Sequence, residues 1–259
     1  MNNIDKIKQK DSLGRRGFYL LPNILTTSAL FAGFYSIVQA MNGAYDHAAL
    51  AIFIALILDG LDGRVARLTN TQSAFGAEYD SLSDMVSFGV APGLIVYVWA
   101  LQPLGKLGWI AAFIYCSCAA FRLARFNVKL DIDNKQFFFG LPSPAAAALL
   151  ASFIWISFDN GISGNEIFLG FFQMQWFAFL LTIFAALSMV TDLRYYSGKD
   201  INLRNSQPFI AILFIVMIIG LISHNPAEVI FIILMGYALS GYVVFFRNRY
   251  IKNMRKKDV

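Results

Sequence analysis

The chain has 259 residues, of which 58% are hydrophobic and 15% aromatic, while only 14% are charged. Soluble domains carry about 25% charged residues, so this composition excludes an ordinary soluble protein and predicts one that lies in a membrane. The formal net charge is +5, but the basic residues flank apolar segments, which favours membrane orientation over nucleic-acid binding. We therefore expect no nucleic acid as a partner.

The first 20 residues are basic but contain regularly spaced apolar side chains. Ile4, Ile7, Leu13 and Phe18 lie among lysines and arginines, a pattern that predicts a juxtamembrane amphipathic helix over residues 1–20 on an anionic lipid surface. A disordered basic tail is the alternative. Because no signal-peptide cleavage pattern follows, we expect the first apolar run to stay in the membrane.

Eight segments are long and apolar enough to cross a bilayer, which requires about 20 mainly apolar residues each. The predicted spans are 21–41, 47–67, 76–101, 107–126, 141–158, 166–193, 208–223 and 228–246. Short connections join them, and no second domain or repeat is visible. The sequence therefore predicts an all-α polytopic membrane protein with about eight transmembrane helices in a single membrane domain.

Lysines and arginines are distributed unevenly between the two sides of the membrane. With a cytoplasmic N-terminus, all 21 of them except Lys106 fall on the cytoplasmic side. Cytoplasmic loops are enriched in Lys and Arg. We therefore expect a multi-pass protein of the cytoplasmic (inner) cell membrane, with both termini in the cytoplasm.

Four aspartates lie in the second and third predicted spans, where a carboxylate costs roughly 2.5–3.5 kcal/mol on insertion scales and is usually functional. Five residues of the second span recur at intervals of three and four and share one helix face. They are Asp59, Asp62, Gly63, Ala66 and Arg67. A second stripe repeats every fourth residue in the third span. It comprises Gly76, Asp80 and Asp84. The short loop between the spans favours antiparallel neighbours, so all four carboxylates can converge.

Four ionised aspartates carry more negative charge than Arg67 can neutralise. Oxygen-only ligands suit hard cations, and the absence of nearby His or Cys argues against zinc. Two divalent cations, Mg²⁺ or Mn²⁺ with Ca²⁺ as an alternative, would balance the cluster. Such ions commonly handle phosphates and can stabilise both oxygens of a displacement at phosphorus. The sequence predicts phosphoryl chemistry at the cytoplasmic boundary; simple Asp–Arg pairing between helices would leave the groove of small residues unexplained.

Residues 59–84 read DGLDGRVARLTNTQSAFGAEYDSLSD. This segment resembles the signature of the CDP-alcohol phosphotransferases, Asp-x-x-Asp-Gly-x-x-Ala-Arg followed by Gly-x-x-x-Asp-x-x-x-Asp, and matches it at every fixed position. Similarity extends from PNILT at 22–26 to FRLARFN at 121–127 and GLPSPAAA at 140–147. The last two segments resemble the CDP-diacylglycerol:serine O-phosphatidyltransferases within that family.

The resemblance implies that the hydroxyl of L-serine attacks the lipid-side phosphorus of CDP-diacylglycerol, giving phosphatidylserine and CMP. It implies that Asp59 and Asp80 contact both metal ions, Asp62 one, and Asp84 the other while acting as general base. It also implies a set of residues that contact CDP-diacylglycerol. These are Asn23, Thr26, Gly63, Ala66, Arg67, Ser73 and Gly76. Asn23, next to a proline, has a competing role as a helix-start residue.

The shared signature does not fix the acceptor alcohol, because similar enzymes use inositol, glycerol 3-phosphate, choline or serine. Arg122 and Arg125 share a helix face, and a guanidinium can bind the serine carboxylate in bidentate fashion. With Asn127 and Ser143 they form the predicted serine-binding set. Alternatively, the two arginines are positive-inside residues that anchor the helix at the lipid headgroups.

The resemblance further implies a catalytic six-helix core over 21–193, two additional helices over 208–246 and a basic cytoplasmic tail over 247–259. The expected partners are CDP-diacylglycerol, L-serine, membrane lipids and a second copy of the chain in a homodimer. The alternatives are the same chemistry with another acceptor and, more remotely, a cation transporter. A transporter would place its acids near the membrane midplane, whereas these crowd toward the cytoplasmic end.

Overall fold

A computed structural model describes residues 3–129, 137–164, 167–168, 172–196 and 225–255, together with Val216 and Gly220. Helices dominate this part of the chain. They are α1 (Asn3–Met41), α2 (Tyr45–Leu68), α3 (Ala74–Asp84), α4 (Ala91–Val96), α5 (Lys106–Lys129), α6 (Ser143–Asp159), α7 (Met174–Val190) and α8 (Pro226–Arg255). Two short antiparallel strand pairs join connecting segments. They are β1 (Phe137–Phe139) with β4 (Arg194–Tyr196), and β2 (Ile167–Phe168) with β3 (Phe172–Gln173).

By length and composition, four helices of the described part can cross a membrane. They are Leu20–Met41, Ala74–Leu104, Lys106–Val128 and Pro226–Arg247. The helices α6 and α7 are apolar but shorter, and α2 has 24 residues but contains Asp59, Asp62, Arg64 and Arg67. The predicted all-α polytopic membrane fold is confirmed.

Two segments differ from the predicted spans, and a third predicted span lies largely outside the described residues. Within the sixth predicted span, 166–193, the described residues form a helix from Met174 to Val190, and those described before it, Ile167–Phe168 and Phe172–Gln173, pair as the strands β2 and β3. The predicted helix near the N-terminus is present but runs without a break into the first span as α1. The seventh predicted span, 208–223, lies outside the described residues except for Val216 and Gly220.

The third span is a helix of changing pitch. Between α3 and α4, residues Met85–Val90 form a π-helical segment, and a second one, Tyr97–Leu101, follows α4. Such segments often lie near functional sites because the wider turn shifts the side chains that follow it. The first begins directly after Asp84, so the carboxylate stripe itself lies on regular α-helix.

Small residues let α1, α2 and the third span pack closely, as is common in membrane proteins. Ala48, Ala49 and Ala55 of α2 are fully buried in the core. A Cβ added at Gly33 of α1 would lie 2.5 Å from the Ser87 hydroxyl of the third span, so only glycine fits there. The tight packing holds α2 and α3 in fixed positions beside α1, where the candidate site lies.

Candidate functional site

The turn between α2 and α3 sets how the two carboxylate stripes face each other. Asn70 adopts a positive φ of 53°, which asparagine tolerates better than most residues. Ser73 then starts α3 as its N-cap, and its Oγ accepts a hydrogen bond of 3.0 Å from the backbone N–H of Gly76. This capping fixes the first turn of α3, and the short turn brings α3 back against the end of α2.

The four aspartates of the two stripes come together, as the helical spacing predicts. Carboxylate oxygens of Asp59, Asp62 and Asp80 all lie within 4.8 Å of one another. The carboxyl group of Asp84 is close enough to that of Asp59 to interact with it, and the carboxyl group of Asp62 is close enough to that of Asp80. The cluster therefore consists of two cross-helix carboxyl pairs, each joining α2 to α3.

The donor set of this cluster fits a hard divalent cation. Oδ1 of Asp80 is buried and accepts no hydrogen bond from any described residue, which costs about 1–3 kcal/mol or more for a charged group. Within the described residues no ion pair reaches the cluster, and Arg67 acts on Asp62 only at longer range. Closely spaced carboxylates with an unpaired buried oxygen are ligands that suit a metal.

Thr26 of α1 supports the cluster from outside. Its hydroxyl lies 2.6 Å from Oδ2 of Asp62 and 3.1 Å from the carbonyl of Pro22. A hydroxyl has one proton, and the bond to the ionised acceptor is the stronger one. The carbonyl of Thr26 in turn accepts a hydrogen bond from Ser83 at 3.1 Å. Thr26 thus links α1, α2 and α3 at the carboxylates.

A polar cavity of about 340 Å³ opens beside Asp62 and Asp80. All seven residues that the resemblance assigns to CDP-diacylglycerol line it. Glycines keep its wall open: a Cβ at Gly76 would lie 3.1 Å from Oγ of Ser73, and one at Gly63 would lie 3.5 Å from the guanidinium of Arg67. The cavity therefore combines a guanidinium, a helix N-terminus and carboxylates, which suits a phosphate-bearing ligand with metal.

Four further residues line the cavity that sequence reasoning did not assign to a ligand. They are Pro22, Thr71, Gln72 and Ala77. Thr71 and Gln72 lie between the two halves of the signature, where it specifies no residue, so their spacing carried no signal. The fold brings them in because the turn after α2 folds back over the groove.

Of the predicted serine-binding residues, Arg122 and Ser143 come together in the interior. Nη1 of Arg122 donates a hydrogen bond of 3.0 Å to Oγ of Ser143, which is fully buried at the start of α6. Nε of Arg122 is buried without a hydrogen-bond partner among the described residues. Asp84 is close enough to act electrostatically on this guanidinium. Arg122 therefore bonds α5 to α6 within electrostatic range of Asp84.

Arg125 and Asn127 have other partners. Arg125 forms an ion pair with Asp192 and donates to the carbonyl of Val190 at 3.4 Å, both at the end of α7. Asn127 donates through Nδ2 to Oγ of Ser81 at 3.0 Å, next to the cluster on α3. The hydrogen-bond partners of the predicted serine-binding residues thus lie on different helices. Within the set, the hydrogen bond found is the one between Arg122 and Ser143.

Comparison with known proteins places this geometry in a family. The family model for CDP-alcohol phosphatidyltransferase matches residues 19–171. The CDP-diacylglycerol–serine O-phosphatidyltransferase of Helicobacter pylori (strain J99) is 36% identical over 245 residues, which cover 92% of this chain and 97% of that protein. The Mycobacterium tuberculosis (strain H37Rv) protein of the same name is 40% identical over 155 residues, 57% of this chain and 54% of that protein.

An archaeal protein extends the comparison: the archaetidylserine synthase of Methanothermobacter thermautotrophicus is 36% identical over 148 residues, 56% of this chain and 62% of that protein. The names of all three relatives specify serine as the lipid headgroup. Since the family model spans more than half of the sequence and the H. pylori relative aligns with nearly all of it, the chain belongs to the CDP-alcohol phosphatidyltransferase family.

Proposed function

We propose that this protein transfers the phosphatidyl group of CDP-diacylglycerol to the hydroxyl of L-serine, giving phosphatidylserine and CMP in phospholipid biosynthesis. The observation that carries the proposal is the convergence of Asp59, Asp62 and Asp80 beside the cavity that holds every predicted nucleotide contact. The names of the relatives support serine as the acceptor, one of them over nearly the whole chain.

Two divalent cations, Mg²⁺ or Mn²⁺ with Ca²⁺ as an alternative, are the cofactors that the proposal assigns to the cluster. Asp59 and Asp80 would each be ligands of both ions, Asp62 of one and Asp84 of the other. Bound there, the ions would neutralise charge on the diphosphate and on the leaving CMP. The unpartnered Oδ1 of Asp80 supports this assignment.

The residues around the cavity bind and orient the nucleotide. Arg67 at its mouth offers a fork of donors that matches phosphate oxygens. The N-terminus of α3, which Ser73 caps, adds the positive end of a helix dipole. Asn23 and Thr26 close the cavity from α1. The phosphates of the substrate are thereby held next to Asp62 and Asp80.

Asp84 is the proposed general base. It lies one helical turn beyond Asp80 and does not line the nucleotide cavity, so an acceptor can approach it from another direction. Asp84 takes the proton of the serine hydroxyl as the new oxygen–phosphorus bond forms, and the bond between that phosphorus and CMP breaks. The guanidinium of Arg122, close to Asp84, is suited to hold the carboxylate of the same serine.

The orientation of the protein in the membrane and its oligomeric state also form part of the proposal. The charge asymmetry of the loops supports a site at the cytoplasmic face of the cytoplasmic membrane, with both termini on that side. The resemblance supports a homodimer. Arg125 and Asn127 remain predicted serine contacts, and their bonds to Asp192 and Ser81 also suit them to fixing the end of α5.

The test of the function is an acceptor panel with the purified protein. CDP-diacylglycerol and Mg²⁺ or Mn²⁺ are supplied with labelled serine, glycerol 3-phosphate, inositol or choline, and CMP release and the lipid product are followed. Of these four acceptors, we expect only serine to give a lipid product. Glycerol 3-phosphate is the rival to watch, because Arg122 would also bind a phosphate. Product with that acceptor and none with serine would refute serine as the substrate.

Replacing Thr26 with valine is expected to weaken Mn²⁺ binding about 10–100-fold, the usual effect of removing a hydrogen bond to a metal ligand. Valine keeps the shape of threonine but leaves Oδ2 of Asp62 without its 2.6 Å donor. The dissociation constant of Mn²⁺ can be measured by titration calorimetry or by electron paramagnetic resonance.

Thr182→Val is the matched control for that substitution. Thr182 is also buried and also bonds the carbonyl four residues before it, at 2.7 Å, but it contacts no carboxylate. Its variant is expected to bind Mn²⁺ as the unaltered protein does. Equal weakening in both variants would mean that loss of a buried hydroxyl, and not support of Asp62, causes the effect.

A further inference from the structure

A second polar stripe runs along the third span, next to the carboxylates. Tyr79, Ser83 and Ser87 recur at intervals of four residues, and we call them the hydroxyl stripe. Two of its members directly precede Asp80 and Asp84, so the two stripes lie side by side on the helix. The carboxylate stripe meets α2, and the hydroxyl stripe meets α1.

Two members of the hydroxyl stripe bond the backbone of α1 in the interior. Ser83 donates to the carbonyl of Thr26 at 3.1 Å, and Ser87 donates to the carbonyl of Ala29 at 3.1 Å. Both serines are buried. Hydrogen bonds of this kind hold neighbouring helices together in membrane proteins, and these two fix α1 against the deeper part of the third span.

The third member, Tyr79, bonds α1 next to the nucleotide cavity. Its hydroxyl lies 2.9 Å from Oγ1 of Thr27, which donates its one proton to the carbonyl of Asn23 at 2.7 Å. Tyr79 is therefore the donor to Thr27. The ring of Phe75 stacks on that of Tyr79, with centres 5.9 Å apart and planes inclined by 13°. The phenol is thus held in place from both sides.

The residue at the end of this chain of hydrogen bonds spans the cavity from α1 to α3. Asn23 lines the cavity, and a Cβ added at Gly76 on the opposite wall would lie 3.5 Å from its Oδ1. Thr26, directly before Thr27, lines the same cavity and bonds Asp62. Any shift of α1 away from α3 would therefore widen the cavity between Asn23 and Gly76.

The bond between Tyr79 and Thr27 lies on the surface of the bundle, on a face that is suited to lipid. Thr27 is exposed, and so are Ile24 and Phe31, one turn away on either side of it. All three belong to the apolar segment Leu20–Met41. Hydrocarbon cannot replace a lost hydrogen bond as water can, so this bond closes the outer edge of the contact between α1 and α3.

We propose that Tyr79 is a positioning residue of the nucleotide cavity: its hydrogen bond to Thr27 holds Asn23 at the spacing from Gly76 that the CDP moiety of the substrate requires. The inference rests on the proposed function, since it takes CDP-diacylglycerol as the ligand of the cavity. It gives the hydroxyl stripe a part in substrate binding beside that of the carboxylates.

The test replaces Tyr79 with phenylalanine, which keeps the ring on Phe75 and removes the hydroxyl. Thr27 keeps its own acceptor, the carbonyl of Asn23, so the change leaves no donor unmatched. We expect the KM for CDP-diacylglycerol to rise about three- to tenfold, the effect of one hydrogen bond. The kcat and the KM for serine should stay unchanged.

Substitutions at Thr27 test the same bond from the side of α1 and serve if Tyr79→Phe does not fold. Thr27→Val removes the acceptor of the phenol and should raise the same KM, whereas Thr27→Ser retains the hydroxyl and should leave it unchanged. In the Tyr79→Phe, Thr27→Val double variant the rise should be no larger than in either single variant, because both remove one interaction.

Tyr242→Phe is the matched control, because Tyr242 also shares a hydrogen bond, of 2.8 Å, with a hydroxyl on another helix, that of Ser188. This bond joins α8 to α7, away from the cavity lining. We expect the KM for CDP-diacylglycerol to stay unchanged. An equal rise in Tyr79→Phe and Tyr242→Phe, an equal rise in the KM of both substrates, or effects that add in the double variant would overturn the inference.

Failure of the inference can be told from failure of the proposed function, because binding of CDP-diacylglycerol is measurable without an acceptor. Its dissociation constant, from titration calorimetry in detergent with Mn²⁺, should rise in Tyr79→Phe by the same factor as the KM. If the unaltered protein binds CDP-diacylglycerol but forms no product with serine, the function is refuted and this titration still decides the inference. An unchanged dissociation constant in Tyr79→Phe overturns the inference alone, and no binding by the unaltered protein overturns both.

Discussion

Replacing Asp84 with asparagine is expected to reduce serine-dependent CMP release by roughly 10²–10⁴-fold, the range that a single general base contributes. Asparagine has nearly the same shape, and its amide can donate a hydrogen bond to Asp59, which interacts with Asp84 across the two helices. It cannot accept the proton of the serine hydroxyl. The loss should therefore appear in kcat at saturating concentrations of both substrates.

Binding of CDP-diacylglycerol should remain measurable in the Asp84→Asn protein, because Asp84 does not line the nucleotide cavity. Glu78→Gln is the control: Glu78 lies on the same helix, is exposed and is outside the carboxylate cluster. That variant should release CMP at the rate of the unaltered protein. Near-normal turnover in Asp84→Asn would remove Asp84 as the base, and loss of binding as well would indicate a structural role.

Helical periodicity sufficed to predict the heart of the site. The second and third predicted spans are regular α-helix where the aspartates lie, and the first π-helical segment begins only at Met85, after the last of them. Intervals of three and four residues therefore translate directly into one face. The tight turn with its Ser73 cap then makes the two faces meet.

The acceptor side could not be predicted as well, because its partners come from distant parts of the chain. Arg122 and Arg125 share a face of α5, but their long side chains reach different helices: one reaches Ser143 on α6 and the other Asp192 after α7.

Pairing of two short strands also explains one helix boundary, the start of α7, that hydropathy alone placed wrongly. Residues before Met174 are apolar enough to read as helix, but Ile167–Phe168 pairs with Phe172–Gln173 as antiparallel strands. A continuous apolar run does not distinguish a strand from a helix. The error lies away from the carboxylates, at the other end of α7 from Asp192, so it leaves the predicted site intact.

Replacing Asp80 with asparagine is expected to remove most of the stabilisation of the protein by Mn²⁺. Ligand at about 100 times its dissociation constant raises the free energy of unfolding by about 2.7 kcal/mol. A hundredfold weaker site would retain only about 0.4 kcal/mol of that at the same concentration. Asp80 has the unpartnered buried oxygen and also contacts Asp62, so its loss removes a ligand from the centre of the cluster.

The same substitution should have the opposite effect on the metal-free protein. In the presence of a chelator, Asp80→Asn replaces one of several crowded carboxylates with a neutral amide that can donate to Asp62. The thermal midpoint without metal is therefore expected to equal or exceed that of the unaltered protein, while CMP release is lost. A residue that merely held the helices together would lower the midpoint in both conditions.

Melting curves in detergent with Mn²⁺ and with chelator separate these cases. Asp46→Asn is the control, since Asp46 lies at the other end of α2 and pairs with His47; its variant should keep the full response to Mn²⁺. A full response in Asp80→Asn would remove Asp80 from the ligands, whereas a lost response in both variants would mean that the loss is not specific to the carboxylate cluster. If Asp80 is retained because it binds the cation, although it destabilises the metal-free protein, its replacement should lower the thermal midpoint with Mn²⁺ and should not lower it with chelator.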